Sequence, residues 1–85
     1  LALTIYSNMA ACQLICGNPS GVIENCSSAL QINPNFAKAF YRRACAHASR
    51  NDFELALNDL QLAQKFEPND RKIDELIRET KQRFE

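Results

Sequence analysis

A shift of 34 residues lays much of this chain onto itself. Ala10 falls on Ala44, Ala29 on Ala63, Pro34 on Pro68 and Asn35 on Asn69, and residues of like character pair beside them: Tyr6 with Phe40, Val22 with Ala56, Ile23 with Leu57, Ile32 with Phe66. Such a period marks a chain built from one supersecondary unit used repeatedly, each unit too small to bury its own apolar face and therefore stacked on its neighbour. A unit of 34 residues holds two helices and two short turns.

Composition decides between helix and strand. Ala and Leu number 20 against 9 for Val, Ile and Thr, and Gly and Pro together only 5, which points to an all-α chain. Turn residues divide it. Gly17 is placed to end a helix in the left-handed conformation, Asn18 to cap the next and Pro19 to fill its first turn; Asp52 is the shifted counterpart of Asn18. Breaks at Asn33-Pro34-Asn35 and Glu67-Pro68-Asn69 each offer an Asn as the following cap. Five helices are expected, near 1–16, 19–32, 36–49, 53–66 and 70–84. Small residues (Ala10, Ala44, Ala29, Ala63) should allow close approach. Tyr6, Phe40, Phe53 and Phe66 should fill the core with Met9, Ile23, Leu30, Ile32, Leu57 and Leu60. The last helix carries Ile73, Leu76, Ile77, Thr80 and Phe84 on one stripe and charged pairs, Asp74 with Arg78 and Glu79 with Arg83, on its outer faces.

Ten basic residues cancel ten acidic ones, so no net field recruits nucleic acid or an anionic membrane. From Leu1 to Ala37 the only charge is Glu24, yet polar residues and the Gly17–Ser20 turn interrupt that stretch too early for a membrane span, and it lacks the basic start of a signal peptide. The chain opens in mid-pattern, with Leu1, Leu3 and Ile5 already running. We expect a segment whose upstream neighbour is missing and whose bare N-terminal face self-associates. Cys12, Cys16, Cys26 and Cys45 sit inside helical segments, where thiols pack as small apolar groups; four reduced cysteines are expected, and no metal or cofactor. Zinc through Cys12, Cys16 and His47 lacks a Cys-x-x-Cys pair, and the sequon at Asn25 falls within a helix. The lone His47 lies on a packing side. With no Ser-His-Asp set and no glycine-rich phosphate loop, an enzyme site is not expected.

Lys38 and Arg42 stand four apart on one helix, and Asn8 is the shifted counterpart of Arg42, so stacking the units would put an amide, an ammonium and a guanidinium on one concave surface. These donors match a free carboxylate better than a neutral backbone segment. Ser7, Ala11, Tyr41 and Cys45, with Ala48, are small or flat neighbours that leave room for an extended peptide. Arg43 should point into the helix interface or its rim.

The period, the small and aromatic positions and the Pro closing each unit resemble the tetratricopeptide repeat, despite Gln13 and His47 at a usually larger apolar position, Asn51 in place of Gly and Val22 in place of Ala. The resemblance implies an α-solenoid of antiparallel helix pairs in a single domain, 1–85, with repeats at 3–36 and 37–70 and a capping helix at 71–85. "YSNMAA" around Asn8 and "AKAFYRRA" around Lys38 and Arg42 are similar to the carboxylate clamp of co-chaperone tetratricopeptide domains, with the spacings of 30 and 4 that the clamp uses. That likeness implies a cytoplasmic adaptor gripping the acidic C-terminal peptide of a seventy- or ninety-kilodalton heat-shock chaperone. It also implies two further clamp residues, a Lys and an Asn, in a repeat before Leu1. The alternatives are a structural solenoid segment without a clamp, and an appendage of an immunophilin-type prolyl isomerase.

Overall fold

The computed structural model describes residues 17–84. They form four helices: α1 (Pro19–Ile32), α2 (Ala37–Ser49), α3 (Phe53–Phe66) and α4 (Arg71–Phe84), with no strand among the described residues. Each packs on the next in sequence, and the short connections make neighbours antiparallel. The architecture is an all-α, tetratricopeptide-like solenoid of helix pairs. No helix among the described residues is long and apolar enough to cross a membrane.

The helix ends follow from local chemistry. At α1 the Asn18 side chain accepts a hydrogen bond from the Gly21 N–H at 3.3 Å, and Pro19 occupies the first turn, where a missing N–H costs nothing. Gly17 does not take the left-handed conformation expected of it; among the described residues that role falls to Asn51, at φ 64°, in the tight α2–α3 turn. Asn tolerates this region because its short polar side chain can bond locally. Two caps are displaced by one residue. Phe36, not Asn35, precedes α2 and makes no side-chain cap, and at α4 the Asp70 carboxylate, not Asn69, accepts from the Lys72 N–H at 2.9 Å.

The core runs between α2 and α3 and on to α4. Ala44, Ala46, Ala56 and Ala63 have no exposed surface, so the backbones approach without intervening bulk, and Leu60 and Leu76 fill the space beside them. Phe40 and Phe66 stack at 6.1 Å between centroids, an offset-aromatic distance. Ile32 departs from the expected core: at the last turn of α1 it is 87% exposed. The stripe of α4 is buried at Ile73, Leu76, Ile77 and Thr80 but not at Phe84, which lies in the last turn. Glu79, expected on a solvated face, is buried.

One polar element crosses this core. Arg43 on α2 donates through Nε and Nη2 to the two oxygens of Asp59 on α3, both at 2.8 Å, and through Nη1 to Ser27 Oγ on α1 at 3.2 Å. Its guanidinium also lies 5.6 Å from the Phe40 ring centroid, within cation–π range. A single side chain therefore ties three successive helices. His47 sits one turn along α2, Nε2 3.6 Å from the same carboxylate, and burial holds its pKa below the usual histidine value against the opposing pull of Asp59.

Removing Asp59 leaves Arg43 half-buried without its counter-charge. Asp59→Ala should cost about 3 kcal/mol in urea unfolding, and Arg43→Met combined with Asp59→Ala should cost less than the sum of the single changes. His47 gives a second expectation. Because its folded pKa lies below the unfolded value of about 6.5, the unfolded state binds more protons as pH falls through that value, so stability contributed by neutral His47 is present above it and lost below it. His47→Gln should flatten the pH dependence of unfolding free energy between about pH 7 and 5 relative to the parent.

Candidate functional site

Residues Lys38, Tyr41, Arg42 and Cys45 of α2 line one groove of about 620 Å³, in the range of roughly 300–1,000 Å³ typical of ligand sites. They recur at three- and four-residue intervals, which sets them on one helix face. The opposite wall comes from the α3–α4 turn and the start of α4, with Glu67, Asp70, Lys72 and Ile73; Asn33, Asn35 and Phe36 close the end beside α2. The concavity follows from the helix order. The α3–α4 turn brings the first turn of α4 back beside α2, leaving a trough between them.

Lys38 and Arg42 are exposed in this trough and make no ion pair among the described residues. Arg43, the next residue, points the other way into the interface, as its sequence position suggested. Tyr41 is half-buried between the cations, and burial foremost, with Asp70, Glu79 and Glu75 adding to it, raises its phenol pKa above the ordinary value. It presents a neutral, flat wall with a hydroxyl able to donate or accept. Ala48 is buried behind the groove. Asn8, Ser7 and Ala11, the remaining expected members, lie outside the described residues.

The cysteine expectation needs correcting. Cys45 is disulfide-bonded, while Cys26 is free and buried and burial raises its thiol pKa. Pairing depends on which Cβ atoms packing brings within about 3.5–4.5 Å, and spacing along the chain does not report that. The groove also contains a cation that the sequence reading passed over. Lys72 stands 34 residues after Lys38, so the repeat itself held the signal.

No protein-family model matches the chain. It is similar to FK506-binding protein-like of Mus musculus, 38% identical over 68 residues that make up 80% of this chain and 20% of that protein. Against the DnaJ homolog subfamily C member 7 homolog of Dictyostelium discoideum the identity is 35% over 77 residues, 91% of this chain and 14% of the relative. Against the peptidyl-prolyl cis-trans isomerase FKBP4 of Homo sapiens it is 39% over 71 residues, 84% of this chain and 16% of the relative. The chain thus spans between about a seventh and a fifth of the length of these relatives.

The exposure of Lys38 and Arg42 leads to a stability expectation. Replacing both by Ala should change the unfolding free energy by no more than about 0.5 kcal/mol, measured by urea denaturation, because neither side chain supports the core.

Proposed function

We propose that this chain is a peptide-binding module of the carboxylate-clamp tetratricopeptide type, in which Lys38 and Arg42 hold the C-terminal carboxylate of an acidic peptide. The observation that carries the reading is two cations, four residues apart on α2, without ion-pair partners among the described residues and facing a groove of peptide-binding size. A carboxylate offers two oxygens and four lone-pair sites; an ammonium and a guanidinium supply charge-assisted donors to them, and the Asn8 amide would supply another. Tyr41 and Cys45 form the wall along which the peptide chain lies, and Ser7 and Ala11 belong to the same proposed groove lining. Units at 3–36 and 37–70 and a capping helix at 71–85 complete the proposed organisation.

Similarity to both a prolyl isomerase and a DnaJ homologue supports a co-chaperone role, because proteins of different names share this segment and are each several times its length. The partner in this reading is the acidic tail of a seventy- or ninety-kilodalton heat-shock chaperone, met in the cytoplasm. The isomerase activity in the FKBP4 name belongs to that whole protein. In this proposal the present segment is a docking appendage, and its own groove performs binding without catalysis.

The test compares a free-C-terminal acidic peptide with its amidated twin in calorimetric titration of the full-length protein that carries this chain. Amidation removes the anion and leaves every side chain in place. It should weaken binding by about tenfold or more, as should Lys38→Ala or Arg42→Ala, with affinity falling as salt rises. Equal affinity for the two peptides would exclude the clamp.

A further inference from the structure

Two leucines of α3 stand outside the core. Leu55 is 50% exposed and Leu62 39% exposed, and they lie two helical turns apart on one face. The repeat does not require them, since the 34-residue shift sets them on Gly21 and Ser28 of α1. Neither lines the groove, and Ala56, Leu60 and Ala63, which pack the interior, occupy the opposite side of the helix.

Glu54, Asn58, Gln61 and Lys65 are exposed beside the leucines. At about 100° per residue the six positions fall within an arc of about 120°. In chain order the stripe reads Glu, Leu, Asn, Gln, Leu, Lys, and it becomes its own complement when the helix is turned end for end near residue 59. Leu55 then meets Leu62 of a second copy, Asn58 meets Gln61 and Glu54 meets Lys65, each contact occurring twice. The match also holds around the helix. The leucines lie on one edge of the arc and Glu54 and Lys65 toward the other, and a two-fold axis relating two antiparallel helices keeps each edge with its like.

The chemistry of the stripe selects the occupant. Glu54 and Lys65 make no ion pair among the described residues, and the Lys65 ammonium rests 5.7 Å from the Phe66 ring centroid. One charge of each sign with amides between them offers no basic patch to nucleic acid or an anionic membrane. It fits a surface carrying the same charges in reverse order. Asn58 and Gln61 can each donate and accept, so their amides satisfy one another across the axis.

We infer that the outer face of α3 is a self-recognition surface, through which two copies of this chain pair by antiparallel contact of their α3 helices. With 14 residues, α3 is about 21 Å long. Two such helices bury less than the roughly 1,200 Å² of a standard interface, so the pairing is weak, with a Kd of about 50–200 µM. The pairing residues and the groove residues are separate sets, and a pair carries two grooves.

Sedimentation equilibrium of the full-length protein that carries this chain, up to about 500 µM, tests the pairing. Leu55→Gln combined with Leu62→Gln should abolish the dimer. Lys65→Glu should weaken it about three- to tenfold, because two attractive pairs become repulsive, and adding Glu54→Lys should restore it to within about twofold of the parent. These positions are exposed, so urea unfolding should show each variant folded. A parent that stays monomeric throughout overturns the inference. So does a dimer that survives the leucine substitutions, which places association on another face, or a double charge exchange that fails to rescue Lys65→Glu. Binding of the acidic peptide should be the same in all variants, which scores the groove separately.

Discussion

The close approach of α2 and α3 is the constraint on which the rest of the molecule depends. Ala44 and Ala46 on α2 and Ala56 and Ala63 on α3 are wholly buried, and a larger side chain at any of them would crowd a neighbouring helix in an interior already near close packing. Because alanines alone permit many sliding registers, a directional interaction has to select one. The Arg43 fork does this: two parallel hydrogen bonds to Asp59 and a third to Ser27 satisfy one geometry of α1, α2 and α3 together. Whether such a buried pair adds net stability over apolar packing is a separate matter from its power to define a register.

Two adjacent arginines divide the work between inside and outside. Successive residues on a helix point about 100° apart, so once packing draws Arg43 into the α2–α3 interface, Arg42 is turned toward the groove. Arg43, charge-paired with Asp59, supports the scaffold, and Arg42 keeps its charge available on a rigid helix rather than a loop. The same logic applies to Lys38, one turn earlier. In the proposed function, rigid placement reduces the ordering cost of recognising a carboxylate. The groove's charge pattern is mixed, which suits discrimination between ligands better than a uniformly basic surface would.

Helix positions in the described region were legible because turn chemistry is local. Pro19, Asn18 and the Asn-Pro-Asn and Glu-Pro-Asn breaks placed α1, α2, α3 and α4 within a residue of where they lie. Errors appeared where an end residue's fate depends on its neighbours: Ile32 is hydrophobic and in phase, yet α1 ends there with nothing packed over it. Glu79 shows the opposite case, a charged residue buried by tertiary packing against its local preference. On the groove, Lys38, Tyr41, Arg42 and Cys45 were legible through helical spacing and resemblance. Lys72 was not, because it belongs to the helix after the second unit and its place beside α2 is set by how α4 packs back.

The sequence by itself determined the helical class, the 34-residue period, the turn positions and the face that Lys38 and Arg42 share, since each follows from intervals of four residues or from one repeat laid on the next. Tertiary structure alone decided which polar groups meet across helices. Arg43 finds Asp59 sixteen residues away, His47 approaches the same carboxylate, Cys45 is bound in a disulfide, and Lys72 joins a trough formed by α2 and the α3–α4 turn. The physical reason is range: backbone hydrogen bonding and side-chain periodicity act within a turn or two of chain, whereas these pairings depend on the distance and register between helices, which only the packed core sets.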